Sequence, residues 1–361
     1  MRSELSRLVS EGLGEARASR GRIPELARST RGFPSSGAHL ADVAARTVSL
    51  TLLAGSGSRW VKSLAGAASL GRELAYAASF DAAKPRGLFP VRNFLEVEGP
   101  RIPIASYALE AVRIARRRIL VVRGYEEEIE AEILRPLGFA PGSHAFFNQA
   151  APFGKPLGHG DAAWQCRALW SDADYVVCNF GGDANSRKTL ETALLALDAL
   201  VSRGEDVDLL MPAALIPNPA YPIRLDEAGL PRGFGHLKLA GASAAKTAEE
   251  TAAAGAPGGR AASPDGYTNV GLRLYRASAL LGAVEEFRAR YWKEGEGYAI
   301  PGNDPAGHEF ALDNVDSALA AAGKARILAI ADPEELTPAK SLEDVPAFEA
   351  AMERVAARDR T

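Results

Sequence analysis

The chain has 361 residues, 47% of them hydrophobic and 24% charged, an ordinary globular composition with apolar material for one large core or two modest ones. A net charge of -3 and a pI near 6.1 exclude a global attraction to nucleic acid or to an anionic membrane; a phosphorylated small molecule would be held by a local basic cluster instead. No run reaches the ~20 apolar residues of a membrane-spanning helix. Two cysteines, Cys166 and Cys178, are too few for a disulfide framework and suit a reducing, cytoplasmic setting.

Residues 1–46 read as a polar helical extension: an amphipathic helix, a Gly/Pro/Ser-containing connection at 31–37, then a short helix. The segment is rich in Arg and Ser, but Glu4, Glu11, Glu15 and Glu25 set it apart from acid-poor transit peptides. The first strand is predicted at 47–54 (TVSLTLLA), apolar on both faces as a strand inside a parallel sheet must be. Similar runs follow at 118–123, 175–179, 207–212 and 325–331, with helical stretches at 104–117, 126–134, 187–202 and 278–291. This alternation predicts an α/β fold with a mostly parallel sheet, whose ligands bind beyond the carboxyl ends of the strands. Residues 240–266, dominated by Ala, Gly, Ser and Thr, cannot bury much surface and read as a flexible loop, with an active-site lid as the sharper alternative.

The segment after the first strand carries most of the chemistry. Leu53, Ala54, Gly55, Ser56, Gly57 and Ser58 precede Arg59. Glycines at a strand end let backbone N–H groups approach phosphate oxygens, and an arginine just beyond offers a permanently charged planar fork. A Walker loop is excluded because no Lys-Ser/Thr pair follows at its place, and a dinucleotide fingerprint because Trp60 stands where its third glycine belongs.

LLAGSGSR resembles the L-x-G-G-x-G-S/T-R signature of the sugar-nucleotide pyrophosphorylases, with Ala54 in place of the first glycine. The following Lys84-Pro85-Arg86-Gly87-Leu88-Phe89-Pro90-Val91 and Asn93-Phe94-Leu95-Glu96 are similar to that family's P-K-G-L-x-P-V and F-L-D elements. The family lysine falls at Arg86, with Lys84 as a nearby substitute, and 60–83 is a longer insertion than usual. Phe146-Phe147-Asn148-Gln149 and Lys155-Pro156-Leu157-Gly158-His159-Gly160-Asp161 resemble the uracil-recognising region of the UDP-sugar pyrophosphorylases. The resemblance assigns Gln149, Gly158 and His159 to the nucleotide, together with residues 53–58.

Three further blocks follow in order. The 175–185 run ends a strand in Gly182-Asp183; the resemblance makes Asp183 the ligand of a Mg²⁺ ion and Asn185 a sugar contact, whereas an ordinary reading has Asp183 capping the helix near Ser186. Tyr267-Thr268-Asn269-Val270-Gly271 resembles the N-x-G sugar-contact strand, giving Asn269 and Gly271 to the sugar phosphate, with Lys238 as another candidate phosphate contact. His308-Glu309-Phe310-Ala311-Leu312-Asp313 and the 336–344 segment are similar to the acidic-aromatic helix and F-x-P-x-K-x-x-x-D element of the eukaryotic-type enzymes, although Leu336 replaces the aromatic residue. There Lys340 reaches the phosphates and Asp344 orients the next helix.

The resemblance therefore implies a three-layer α/β/α fold with a mostly parallel mixed central sheet, Rossmann-like and of the nucleotide-diphospho-sugar transferase type. It implies a nucleotidyltransferase domain over 47–347, followed by a helical tail at 348–361. The implied reaction joins a nucleoside triphosphate, UTP by the third block, to a sugar 1-phosphate, with Arg59, Lys84, Arg86 and Lys340 as its cations. Neither nucleic acid nor membrane is expected as a partner; the sugar and the oligomeric state stay open. Two alternatives stand beside it: a catalytically silent sugar-nucleotide-binding or regulatory homologue, and a transferase using CTP with another phosphorylated acceptor.

Overall fold

The computed structural model describes residues 37–54, 58–65, 76–77, 79–217, 219, 223–226, 230–234, 265–301, 303 and 308–360. Among these, eight strands form the central sheet: β1 (Thr47–Leu52), β2 (Arg117–Val122), β3 (His144–Asn148), β4 (Tyr175–Phe180), β5 (Leu209–Pro217), β6 (Asp265–Asn269), β7 (Arg273–Arg276) and β8 (Ala325–Leu328). Their order is β3-β2-β1-β4-β7-β5-β8, with β6 beside the far half of β5. β1 to β4 run parallel, as do β5 and β8, while β6 and β7 run antiparallel to β5 and β7 antiparallel to β4. The protein is thus an α/β molecule with a mostly parallel, mixed sheet in a Rossmann-like arrangement.

Alternation of side chains along each strand builds two cores. Val48, Leu50, Ile119, Val121, Val176 and Cys178 face one side and pack with Leu280, Val284, Leu312 and Val315. Leu120, Val122, Tyr175 and Val177 face the other and meet Leu109, Leu190, Leu194 and Leu197. Polar residues in these buried strands find partners across the sheet: Thr51 Oγ1 donates to Asn179 Oδ1 at 2.9 Å.

The helices are α1 (Gly37–Ala45), α2 (Ser58–Ala65), α3 (Ala105–Ala111), α4 (Glu126–Ile129), α5 (His159–Gln165), α6 (Arg187–Ser202), α7 (Ala277–Tyr291), α8 (Leu312–Ala321) and α9 (Val345–Arg360). α9 packs Phe348, Met352 and Val355 against Trp60, Phe89, Ile102 and Tyr107 in a third core. Several boundaries differ from the sequence reading. The 104–117 helix stops at Ala111, and the 126–134 helix passes into a single π turn at Glu130–Leu134. β5 runs on to Pro217 because β6 pairs with its far half, and Asp265 and Gly266, expected in the loop, open β6. Residues 240–264 of that loop lie outside the described residues. No helix among the described residues is long and apolar enough to cross a membrane.

Candidate functional site

The carboxyl ends of β1, β2 and β4 and the break between β6 and β7 meet at one edge of the sheet. β1 leaves through Leu53, whose N–H donates to Val121 O at 2.9 Å, and Ala54. β4 leaves through Gly181, Gly182 and Asp183, with the Gly181 N–H bonded to Leu52 O (3.2 Å) and the Asp183 N–H to Phe180 O (3.1 Å). The Ala339 N–H donates to Gly182 O at 3.1 Å and so brings the Lys340 segment to the same turn. Asp344 fixes that segment, its carboxylate accepting from the Lys340 N–H (3.0 Å), the Ser341 N–H (2.8 Å) and Ser341 Oγ (3.0 Å).

Asp183 lies against the backbone of Gly271. A Cβ at Gly271 would come within 2.0 Å of Asp183 Oδ2, and the residue's φ of +85° also favours glycine. Asn269 shapes this turn by accepting from the Gly271 N–H (3.1 Å), and Asn185 Nδ2 donates to Val270 O (2.7 Å). Asn185 is buried, and its Oδ1 has no partner among the described residues. Ser186, not Asp183, caps α6, accepting from the Thr189 N–H at 3.3 Å. The capping alternative for Asp183 is thereby removed.

Burial pushes the Asp183 carboxyl up to about 6, against the opposing pull of Arg86, Lys340 and Arg273. The Arg86 guanidinium lies over Gly182, where a Cβ would approach its Nη2 to 2.6 Å. Arg273 sits within the fold: its Nε donates to Asp316 Oδ2 (2.7 Å) and its Nη2 to Asp313 Oδ1 (3.0 Å). Those carboxylates partner Arg273, and Arg86 and Lys340 exert the larger cationic pulls on Asp183.

Beside this cluster is a cavity of about 310 Å³, lined by Leu53 and Ala54, by Arg123, Gly124 and Tyr125 after β2, and by Lys84 and Arg86. Its described lining residues include three cations and no acid. Lys84 Nζ sits 3.5 Å from Glu132 Oε1. Lys84 and Arg86, two residues apart in one motif, therefore hold different places: Arg86 beside Gly182 and Asp183, Lys84 beside Glu132.

The Gly158–Asp161 turn is clipped to the 308–312 segment. Gly160 and Asp161 N–H both donate to Phe310 O (2.9 and 3.3 Å), the Phe310 N–H donates to Leu157 O (2.8 Å), and a Cβ at Gly158 would stand 2.4 Å from Phe310 O. Gln149 is buried and reaches Gly158 O at 3.4 Å. His159 Nδ1 accepts from the Leu312 N–H (2.8 Å), which leaves the proton on Nε2, 3.4 Å from Asp313 Oδ2. With both ring nitrogens engaged inside the protein, the imidazole latches α5 to α8.

Gly55, Ser56, Gly57 and Lys238 lie outside the described residues, as do the side chains of Ser58 and Arg59. Arg273, Asp316 and Tyr125 lie outside the motifs that the sequence offers. A charged residue in the otherwise apolar LRLY run was the available signal for Arg273, since a buried strand keeps such a charge only when it is paired. Among the described residues, three non-glycines have left-handed backbones, Tyr125 (φ 66°), Phe153 (φ 60°) and His308 (φ 51°). Tyr125 lines the cavity and His308 adjoins the Phe310 clip, and backbone strain of this kind gathers at functional sites. No family model matches the chain, and no curated protein matches it.

Proposed function

We propose that the chain is a sugar-1-phosphate nucleotidyltransferase, joining a nucleoside triphosphate to a sugar 1-phosphate and releasing pyrophosphate, with UTP the nucleotide that the resemblance implies. The observation that carries this reading is the meeting of Arg86 and Lys340 at Asp183, on the carboxyl edge of the sheet and next to a cavity whose described lining holds Lys84, Arg86 and Arg123 and no acid. The mixed sheet fits the nucleotide-diphospho-sugar transferase type expected from the sequence.

The chemistry asks little of the protein beyond positioning and charge stabilisation. An oxygen of the sugar phosphate attacks the α-phosphorus; the new P–O bond forms as the bond to the β-phosphate oxygen breaks, and pyrophosphate leaves with the electron pair. The nucleophile is already an anion, so no side chain has to take a proton. Arg86 and Lys340 stabilise negative charge on the reacting phosphates, and Lys84 serves the outer phosphates. A positioned charge of this kind is worth roughly 10²–10³ in rate.

Among the described residues no group of three His, Cys, Asp or Glu could hold a metal ion. Asp183 offers a carboxylate donor at the cluster, which suits a Mg²⁺ that takes the rest of its shell from phosphate oxygens and water. Bound there, Mg²⁺ would supply charge neutralisation at the α-phosphate.

The test is pyrophosphate release with Mg²⁺ across UTP, CTP, GTP, ATP and dTTP, each paired with a panel of sugar 1-phosphates. Release with UTP and one sugar phosphate is expected. Silence from a folded protein that still binds a UDP-sugar would mark a catalytically silent homologue; release only with CTP and a different phosphorylated acceptor would mark the other alternative.

A further inference from the structure

Tyr125 has no part in the chemistry above, yet it is held in an unfavourable backbone conformation at the cavity. The chain leaves β2 through Gly124 (φ 91°) and Tyr125 (φ 66°), two successive left-handed residues. A bulky side chain in that region is strained and persists only where the surroundings enforce it. Here the Tyr125 hydroxyl donates to Ala83 O at 3.0 Å, and the nearby ion pair of Lys84 with Glu132 ties the same segment down.

The described lining of the cavity is mixed: Leu53, Val122, Tyr125 and Ile129 are apolar or aromatic, and Lys84, Arg86 and Arg123 are cationic. An inorganic polyanion would use only the cations, whereas a planar apolar ring joined to a polyphosphate uses both kinds of residue. Aromatic rings accept any base face by stacking, with little regard to its hydrogen-bonding edge.

We propose that Tyr125 is the stacking platform for the nucleobase, and that its hydroxyl tether to Ala83 holds the ring in place while Lys84 serves the phosphates. The inference rests on the nucleotidyltransferase reading and deepens it. It assigns affinity for a nucleoside triphosphate to Tyr125 and leaves the choice among bases to polar groups elsewhere.

The experiment is calorimetric binding of UTP and of inorganic tripolyphosphate, both with Mg²⁺, to the unaltered chain and to Tyr125→Leu and Tyr125→Phe. Tyr125→Leu should weaken UTP about tenfold or more and leave tripolyphosphate within about twofold. Tyr125→Phe, which keeps the ring, should stay within about threefold for UTP. Equal losses for both ligands, or no loss for UTP, would overturn the platform. A measurement on the unaltered protein guards against a variant that does not fold: photo-crosslinking with 4-thio-UTP should place the adduct on Tyr125, and an adduct only elsewhere would refute it. If the unaltered chain binds no nucleoside triphosphate, the nucleotidyltransferase reading falls with the platform. If it binds one with an affinity indifferent to Tyr125, only the platform falls.

Discussion

Replacing Asp183 by asparagine separates what the site costs the fold from what it does in catalysis. The folded carboxyl is pushed from an ordinary 3.8 to about 6, chiefly by burial. A raised carboxylate pKa means that the folded state holds the proton more tightly than the unfolded chain. Its cost is therefore absent below about pH 4, grows between about 4 and 6, and is complete above that. About two pH units at ~1.4 kcal/mol each give a penalty of ~3 kcal/mol at neutral pH. Asp183→Asn should then raise the melting temperature by a few degrees at pH 7.5 and change it little at pH 4, while turnover is lost at both. Thermal unfolding at the two pH values, followed by circular dichroism, reads this directly. A variant less stable than the parent at pH 7.5 would show that Arg86, Lys340 and Arg273 more than offset the burial, and would refute the account of a costly, functional carboxylate.

Other consequences follow from the same geometry. Gly271→Ala places a Cβ against Asp183 Oδ2 at a residue with φ of +85°, so turnover should fall at least ~100-fold and stability by ~1–3 kcal/mol; wild-type kinetics would show that Asp183 is not held there. Lys340→Met should cost about 10²-fold in turnover with melting within about two degrees of the parent, and unchanged turnover would remove Lys340 from the phosphates. Phe348→Ala, which truncates a fully buried ring beside Tyr107, should cost ~3–5 kcal/mol; a loss below ~1 kcal/mol would mean that α9 is not docked on the third core.

The parts of the fold that can be read from sequence are those where one physical demand dominates. β1, β2 and β4 are buried on both faces, and their Leu, Val and Ile runs announce it. α6 and α7 have helical periodicity over 16 and 15 residues, enough for the pattern to outweigh local exceptions. β7 was hidden because Arg273 interrupts its apolar pattern, and only the folded chain reveals Asp313 and Asp316 waiting for it. β3 reads as a motif more readily than as a strand, since its Phe146 and Phe147 are half-buried and it lies at the sheet edge.

The site divides in the same way. Asp183, Arg86 and Lys340 stand in motif-like settings, and their meeting required only that three loops share one sheet edge. His159 was harder to read: its G-H-G-D setting suggested a ligand contact, while the Leu312 N–H and Asp313 that occupy its nitrogens lie more than 150 residues away. Tyr125 carries no motif, and its significance lies in a backbone angle and a cavity wall.

The most direct test of the central claim is chromatographic detection of the joined nucleotide-sugar product. UTP, Mg²⁺ and a panel of sugar 1-phosphates would be incubated with the unaltered chain and, in parallel, with Asp183→Asn. The account predicts a UDP-sugar formed in equal amount to pyrophosphate by the unaltered chain, and none by the variant. Product formed equally well by both would contradict the role given to the Asp183 cluster, and absence of product from the folded, unaltered chain would contradict the reaction itself.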